Sequence, residues 1–214
     1  MNYDLYLSKK LKDICKSWDN WKDKPDIEKI KIVGDEPTSH PEFKEILRHL
    51  YESVKNISYK TSGISFSIKD PRSKNLLEDT KNFCKYILLS WNRSYFNKSI
   101  SILKDYEIDY KIIWTISDIK SIDNLLKLLD SHDQDIILTP DMDINQNLLI
   151  TENVWKYLSL SVLDKNLDNI FLSSRFSPFT DKYLEDPNNI LISRNLISIT
   201  KNKYDLRPIK IYKI

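Results

Sequence analysis

The chain has 214 residues, enough for one sizeable core with at most a small appendage. Charged residues make up 30% and hydrophobic residues 41%, the balance of an ordinary soluble globular protein. With 33 basic against 31 acidic residues the net charge is +2, which argues for neither nucleic acid nor an acidic membrane surface as partner. No apolar run nears the roughly 20 residues of a membrane span. Residues Met1 to Asp13 have neither the apolar core nor the cleavage pattern of a secretory leader. A cytoplasmic protein is expected. Cys15 and Cys84 are too few and too far apart for a disulfide framework or a local metal site.

Residues 5–22 are predicted as a helix, with Leu7, Leu11, Ile14, Cys15 and Trp18 on one face. Lys24-Pro25-Asp26 breaks it. Residues 29–33 then form a strand through Ile30, Ile32 and Val33, and Gly34 ends it at a sharp turn. Pro37 and Pro41 forbid a continuing strand. Thr38 or Ser39 is placed to cap a helix with Pro41 and Glu42 in its first turn. Phe43, Ile46, Leu47 and Leu50 give that helix its apolar face, out to Tyr51 or Ser53. A second strand, residues 54–63, is closed by Gly63, and residues 64–67 read as its short extension. Asp70-Pro71 turns the chain into a helix carrying Leu76, Leu77, Thr80 and Phe83. Residues 84–92 are a third strand, apolar enough to be buried on both faces. Phe96, Ile100 and Leu103 mark a helix, residues 109–117 a fourth strand, and Ile122, Leu125, Leu126, Leu128 and Leu129 an amphipathic helix. Residues 134–140 are the fifth strand, Trp155, Leu158 and Leu163 a further helix, and residues 167–174 the sixth strand.

Strands alternating with helices at this spacing predict right-handed βαβ units and a parallel sheet. The sheet is either curled into a full or partial (β/α) barrel or spread flat and doubly wound. The fold class expected is α/β, with residues 1–187 as a partial barrel. Residues 188–214, short β runs with a turn at Asn202-Lys203, form an antiparallel appendage packed on it. Ligands of parallel sheets bind outside the carboxyl ends of the strands. There the segments Gly34–Pro37, Ser62-Gly63, Ser90–Arg93, Thr115–Asp118 and Thr139–Asp143 converge.

The stretch from Ile30 to Leu50 resembles the strand-turn-helix of radical S-adenosylmethionine enzymes. In that family the turn reads Gly-Gly-Glu-Pro-Thr, and its backbone and carboxylate hold the amino group of the methionyl moiety. Here it reads Gly34-Asp35-Glu36-Pro37-Thr38, with Asp35 at the second glycine position. The likeness continues through Tyr59–Ser67, Tyr86–Asn92, Ile108–Leu129 and Asp135–Pro140, and covers residues 8–140. Both glycines of the chain, Gly34 and Gly63, fall at the family's glycine turns. The resemblance implies a partial barrel of the radical-SAM type. It also implies S-adenosylmethionine as candidate ligand of Gly34, Asp35, Glu36, Pro37, Ser62, Gly63, Ser90, Asn92, Arg93 and Thr115.

The family's four-iron cluster sits on three cysteines, Cys-x3-Cys-x2-Cys, before the glycine turn, and cluster iron wants thiolates. Only Cys15 precedes the turn here, and Cys84 lies two units later. No iron–sulfur cluster is expected from this chain alone, and radical chemistry is not supported. No room is expected for the first barrel strand, so the chain is taken to begin after the cluster loop. That leaves a sheet edge open to a protein partner or a second copy.

Three functional readings follow. The first is a degenerate or truncated relative that binds a small ligand or a partner at the strand ends, Glu36 accepting a hydrogen bond from a ligand ammonium. Against it stands Glu36 as a plain first-turn acid of the next helix. The second is a metal-dependent nucleotide-sugar transferase, in which Asp141 and Asp143, helped by Asp118 or Asp135, hold a divalent ion on a diphosphate. The third is an interaction scaffold anchored at Trp91-Asn92-Arg93, with Arg93 pairing a carboxylate or phosphate, or simply Glu36 or Asp118. His40 has no second histidine or carboxylate at ligand spacing, and His49 and His132 read as surface or helix-end residues.

Overall fold

The computed structural model describes residues 2–6, 29–33, 36–67, 71–92, 94–143, 147–163, 168–176 and 179. Gly34, Asp35, Arg93, most of the helix expected over 5–22 and the appendage expected over 188–214 lie outside the described residues. The chain divides into two compact units, with the boundary inside one strand, between Lys111 and Ile112.

The first unit runs β1 (Asn2–Tyr6), β2 (Lys29–Val33), a 3-10 turn (Pro37–Ser39), α1 (Phe43–Ser53), β3 (Asn56–Thr61), α2 (Ile64–Ser67), α3 (Pro71–Phe83), β4 (Tyr86–Ser90) and α4 (Phe96–Asp105). The strands pair parallel in chain order. Leu5 stands opposite Ile32, Ile30 opposite Ile57, and Tyr59 opposite Ile87. β5 (Tyr110–Ile116) begins in this unit, and the Ile87 N–H donates to the Asp109 carbonyl at 2.9 Å as it does so.

The sheet face carrying Ile30, Ile32, Ile57, Tyr59, Ile87 and Leu89 is buried. From α1 it meets Phe43, whose ring stands edge-on to Tyr59 with centroids 5.0 Å apart, and Tyr59 bonds Thr80 of α3 at 2.7 Å. Ile46, Leu47 and Leu50 complete the α1 stripe. Each such side chain contributes about 1.5–3 kcal/mol on leaving water, which is why the apolar spacing decided these elements. The alternate residues occupy the opposite face; Lys31, Lys60, Tyr86 and Ser90 are partly exposed there, whereas Ser58 and Leu88 are buried.

The second unit contains the rest of β5, α5 (Ile119–Leu129), β6 (Ile136–Pro140), α6 (Glu152–Ser161), β7 (Ile170–Leu172) and a 3-10 turn (Ser174–Phe176). Its strands are parallel too, Trp114 facing Leu138 and Leu138 facing Leu172. Trp114 donates its indole N–H to the Ser121 carbonyl of α5 at 3.0 Å. Trp155 of α6 packs on Phe176 with ring centroids 5.4 Å apart. Parallel strands alternating with helices in an open sheet make this the α/β, partial (β/α) barrel that the sequence predicts. Among the described residues, no helix is long and apolar enough to cross a membrane.

Four expectations are corrected. Asn2–Tyr6 is a strand paired to β2, where a helix from residue 5 and no first strand were expected. β1 therefore takes the edge of β2 that was to stay open. Residues 64–67 form a helical turn, not a strand extension, because Gly63 at φ 81° reverses the chain. Finally, neither Thr38 nor Ser39 caps α1. Pro37–Ser39 form a separate 3-10 turn, and α1 starts at Phe43 with Glu42 as its cap residue.

Candidate functional site

The β2 turn reaches across to the end of β3 through one side chain, Glu36. Its main-chain carbonyl opens the 3-10 turn by accepting the Ser39 N–H at 3.0 Å. Its side chain makes no cap bond to that turn. One carboxylate oxygen instead accepts the Thr61 hydroxyl at 2.5 Å and the Thr38 hydroxyl. The other accepts the Ser62 N–H at 2.7 Å and the Ser62 hydroxyl at 2.5 Å. Thr38 Oγ1 lies 2.8 Å from Ser65 Oγ, which ties α2 into the same cluster. The reading of Glu36 as a plain acid of the following helix is thus replaced: its carboxylate faces the β3 terminus. A carboxylate can take about four bonds, and all four come from this chain.

Three of those donors are hydroxyls, and hydroxyls rotate. An ammonium entering the cluster donates three bonds. The Thr38, Thr61 and Ser62 oxygens can turn their lone pairs towards it while Ser62 N–H keeps the carboxylate in place. The cluster thus gathers one carboxylate and four hydroxyls in a half-buried place, where electrostatic attraction is less screened than at an open surface.

The turn that presents Ser62 depends on Gly63. Its N–H donates to Thr61 Oγ1 at 3.0 Å, and its carbonyl accepts Ser99 Oγ at 3.1 Å and Ser67 Oγ at 3.3 Å. A Cβ there would collide with Ser99 Oγ and stand 2.8 Å from Ser99 Cβ. Lys98 of α4 donates to the Ser67 carbonyl, and Ser73 Oγ to the Ser65 carbonyl at 2.7 Å. Helices α2, α3 and α4 thus lock one loop behind the cluster.

Of the other predicted residues, Pro37 is buried in the 3-10 turn. Ser90 ends β4, its hydroxyl shielded from solvent and without a hydrogen-bond partner. Asn92 turns the chain into α4, its Oδ1 accepting the Ser94 and Tyr95 N–H groups at 2.9 and 3.2 Å. Trp91, just past β4 and named as an anchor of an interaction scaffold, is 41% exposed. Thr115 is an exposed residue of β5 in the second unit. Also there, Asp118 is the N-cap of α5, accepting the Ser121 N–H at 2.7 Å in a capping box. Asp141 and Asp143 close a small loop. Asp141 Oδ1 accepts the Met142 N–H at 3.0 Å, while Asp143 accepts the Asn147 N–H and the Asn147 side-chain amide, each at 2.8 Å. No three His, Cys, Asp or Glu residues stand together as a metal site among the described residues.

Sequence reasoning missed Thr61 and Ser65 as members of the Glu36 cluster. The signal was there: hydroxyls crowd Thr61-Ser62-Gly63-Ile64-Ser65 where a strand ends.

An iron–sulfur cluster does not fit the described residues. Cys84 precedes β4, so it stands at the amino end of that strand and not at the carboxyl rim, and burial pushes its thiol pKa up, away from the thiolate iron needs.

No protein-family model matches the chain, and no curated protein matches it. Solved structures do. SuiB of Streptococcus suis superposes with a TM-score of 0.54 at 14% identity, covering 84% of this chain and 50% of that one. SuiB bound to S-adenosylmethionine gives a TM-score of 0.53 at 14% identity, over 79% of this chain and 45% of that chain. SuiB bound to the precursor peptide SuiA gives 0.54 at 14% identity, over 81% and 45%. The chain spans about half the length of these solved chains. At this identity the likeness shows the fold alone, a partial parallel (β/α) barrel of the radical-SAM type.

Proposed function

We propose that this chain is a small-molecule-binding member of the radical-SAM-like folds that takes the ammonium of S-adenosylmethionine at the Glu36 cluster, and that it ligates no iron–sulfur cluster with its own cysteines. The observation that carries the reading is the direction of the Glu36 carboxylate, held towards Thr61 and Ser62 at the carboxyl end of β3. That is the end of a parallel sheet where ligands collect. Ser90 supports it as a second polar group at a neighbouring strand end with bonding capacity to spare. The cluster-free part rests on the count of two cysteines and on the place of Cys84.

The residues present give the ligand an anchor and a fixed orientation. Glu36 takes the ammonium, the three hydroxyls share its protons, and Ser62 N–H holds the carboxylate against rotation. A charge-assisted bond of this kind is worth about 1.5–3 kcal/mol.

Calorimetry on anaerobically purified protein tests the reading. S-adenosylmethionine is expected to bind without iron, and Glu36→Gln to weaken it by about ten- to a hundredfold. Methylthioadenosine, which lacks the amine, is expected to bind weakly to both proteins, so that the substitution costs it little. Equal loss for both ligands would show that Glu36 only holds the turn. Stoichiometric cluster reconstitution would overturn the cluster-free part.

A further inference from the structure

The sheet face turned away from the helices of the first unit carries cations. Lys31 lies between buried Ile30 and Ile32 on β2, Lys60 between buried Tyr59 and Thr61 on β3, and Lys111 between buried Tyr110 and Ile112 at the start of β5. Strand alternation puts all three on the face opposite those buried neighbours. In a (β/α) barrel that is the inner face. The register sets Lys60 opposite Leu88 of β4. The bond from Ile87 N–H to the Asp109 carbonyl brings Lys111 level with the same Leu88. Lys60 and Lys111 thus flank one strand, about 10 Å apart at the backbone, or two strand spacings. Lys111 Nζ stands 5.3 Å from the Tyr86 ring centroid on that strand. Ser90, two residues beyond Leu88 and on the same face, has a shielded hydroxyl with no hydrogen-bond partner among the described residues.

Lysines on an inner sheet face lose hydration, and that cost is recovered when an anion joins them. The register places Asp4 opposite Lys31. Lys60 and Lys111 also interact within the chain, so an incoming anion exchanges with those groups. We propose that this face binds a small ligand bearing at least two anionic groups, carboxylates or phosphates. Lys60 and Lys111 each take one of these groups, and the Ser90 hydroxyl donates a further bond. The inference goes beyond the ammonium site and differs from it in its charged anchors, since an anion without an amine makes no use of Glu36; Ser90 is common to both.

Citrate and pyrophosphate are the probes, titrated calorimetrically at low ionic strength. At least one is expected to bind saturably, and the tighter of the two identifies carboxylate or phosphate as the group recognised. Lys60→Gln and Lys111→Gln are each expected to raise Kd by about tenfold. Lys104→Gln, at an exposed α4 residue and with the same change in net charge, is expected to leave it unchanged. Should a lysine variant fail to fold, acetylation of the unaltered protein decides: the bound anion is expected to protect Lys60 and Lys111 but not Lys104. Absence of saturable binding, equal weakening by Lys104→Gln, or acetylation of Lys60 and Lys111 unchanged by the anion would each overturn the proposal. A failed ammonium site with intact anion binding, or the reverse, separates the two readings.

Discussion

Gly63 shows how much one missing side chain can hold. Its φ of 81° is left-handed backbone, which costs an L residue roughly 1–2 kcal/mol. The space is also taken, because a Cβ would meet Ser99 of α4. Overpacking typically adds about 1–3 kcal/mol. Gly63→Ala is therefore expected to lose about 3 kcal/mol in urea unfolding, and Ser99→Ala in the same chain to recover part by removing the nearest atom. Additive losses in the double variant would show that backbone strain alone decides. At Glu36 the sequence singles out an acid in a turn that resembles a family's ligand-holding motif. It could not show which way the carboxylate pointed, because partners 25 and 26 residues away decide that.

Cys84 gives a pH prediction at the same scale. Burial raises its thiol pKa in the folded chain, while the unfolded thiol titrates near its ordinary value of about 8.5. Above that value the unfolded chain binds fewer protons than the folded one, so stability is kept below it and falls as pH rises. Tyr59, raised by its burial beside Thr80, extends the trend above about pH 10. The unaltered protein is expected to lose about 1 kcal/mol from pH 8.5 to 9.5 beyond what Cys84→Ala loses. Parallel stability curves would place the shift elsewhere.

Among the elements, helices with a clean apolar face were legible almost to their ends. Phe43, Ile46, Leu47 and Leu50 define α1, and Ile122, Leu125 and Leu128 define α5, because burial of a 3.6-residue stripe fixes both position and length. Short polar-apolar alternation was not legible. Ile64-Ser65-Phe66-Ser67 has a strand's period but sits after a left-handed glycine, and the turn won over the period. Asn2–Tyr6 has the same period and was absorbed into a longer helical pattern, since only its distant partner β2 makes it a strand. Asp118 was weighed as a metal or arginine partner, although Asp before an apolar stripe with Ser at the third position spells a helix start. Asp118→Ala is expected to cost about 1 kcal/mol of stability, read as a lower thermal midpoint. A loss of manganese-dependent activity without that shift would restore the metal reading.

At the scale of the molecule, the α/β class followed from the alternation of strand and helix patterns, whereas the family likeness hung on one turn. The sequence places an open edge at β2, but that edge belongs to β1, which pairs with β2 from Asn2↔Lys29 to Tyr6↔Val33. This changes what an edge partner would have to do. Parallel β2 is covered by β3 on one side and β1 on the other, and its Ile30 and Ile32 are almost wholly buried. A chain lacking residues 1–6 would leave the β2 ladder unpaired along its five residues, buried Ile30 and Ile32 among them. Such a bare edge recruits another strand or aggregates. The shortened chain is expected to be less stable in urea and to elute larger than the full chain in size-exclusion chromatography. The full chain should keep its own elution position over the same concentration range. If the shortened chain keeps both the stability and the elution volume of the full one, β1 adds nothing to the sheet. The open edge of the sequence reading would then return to β2.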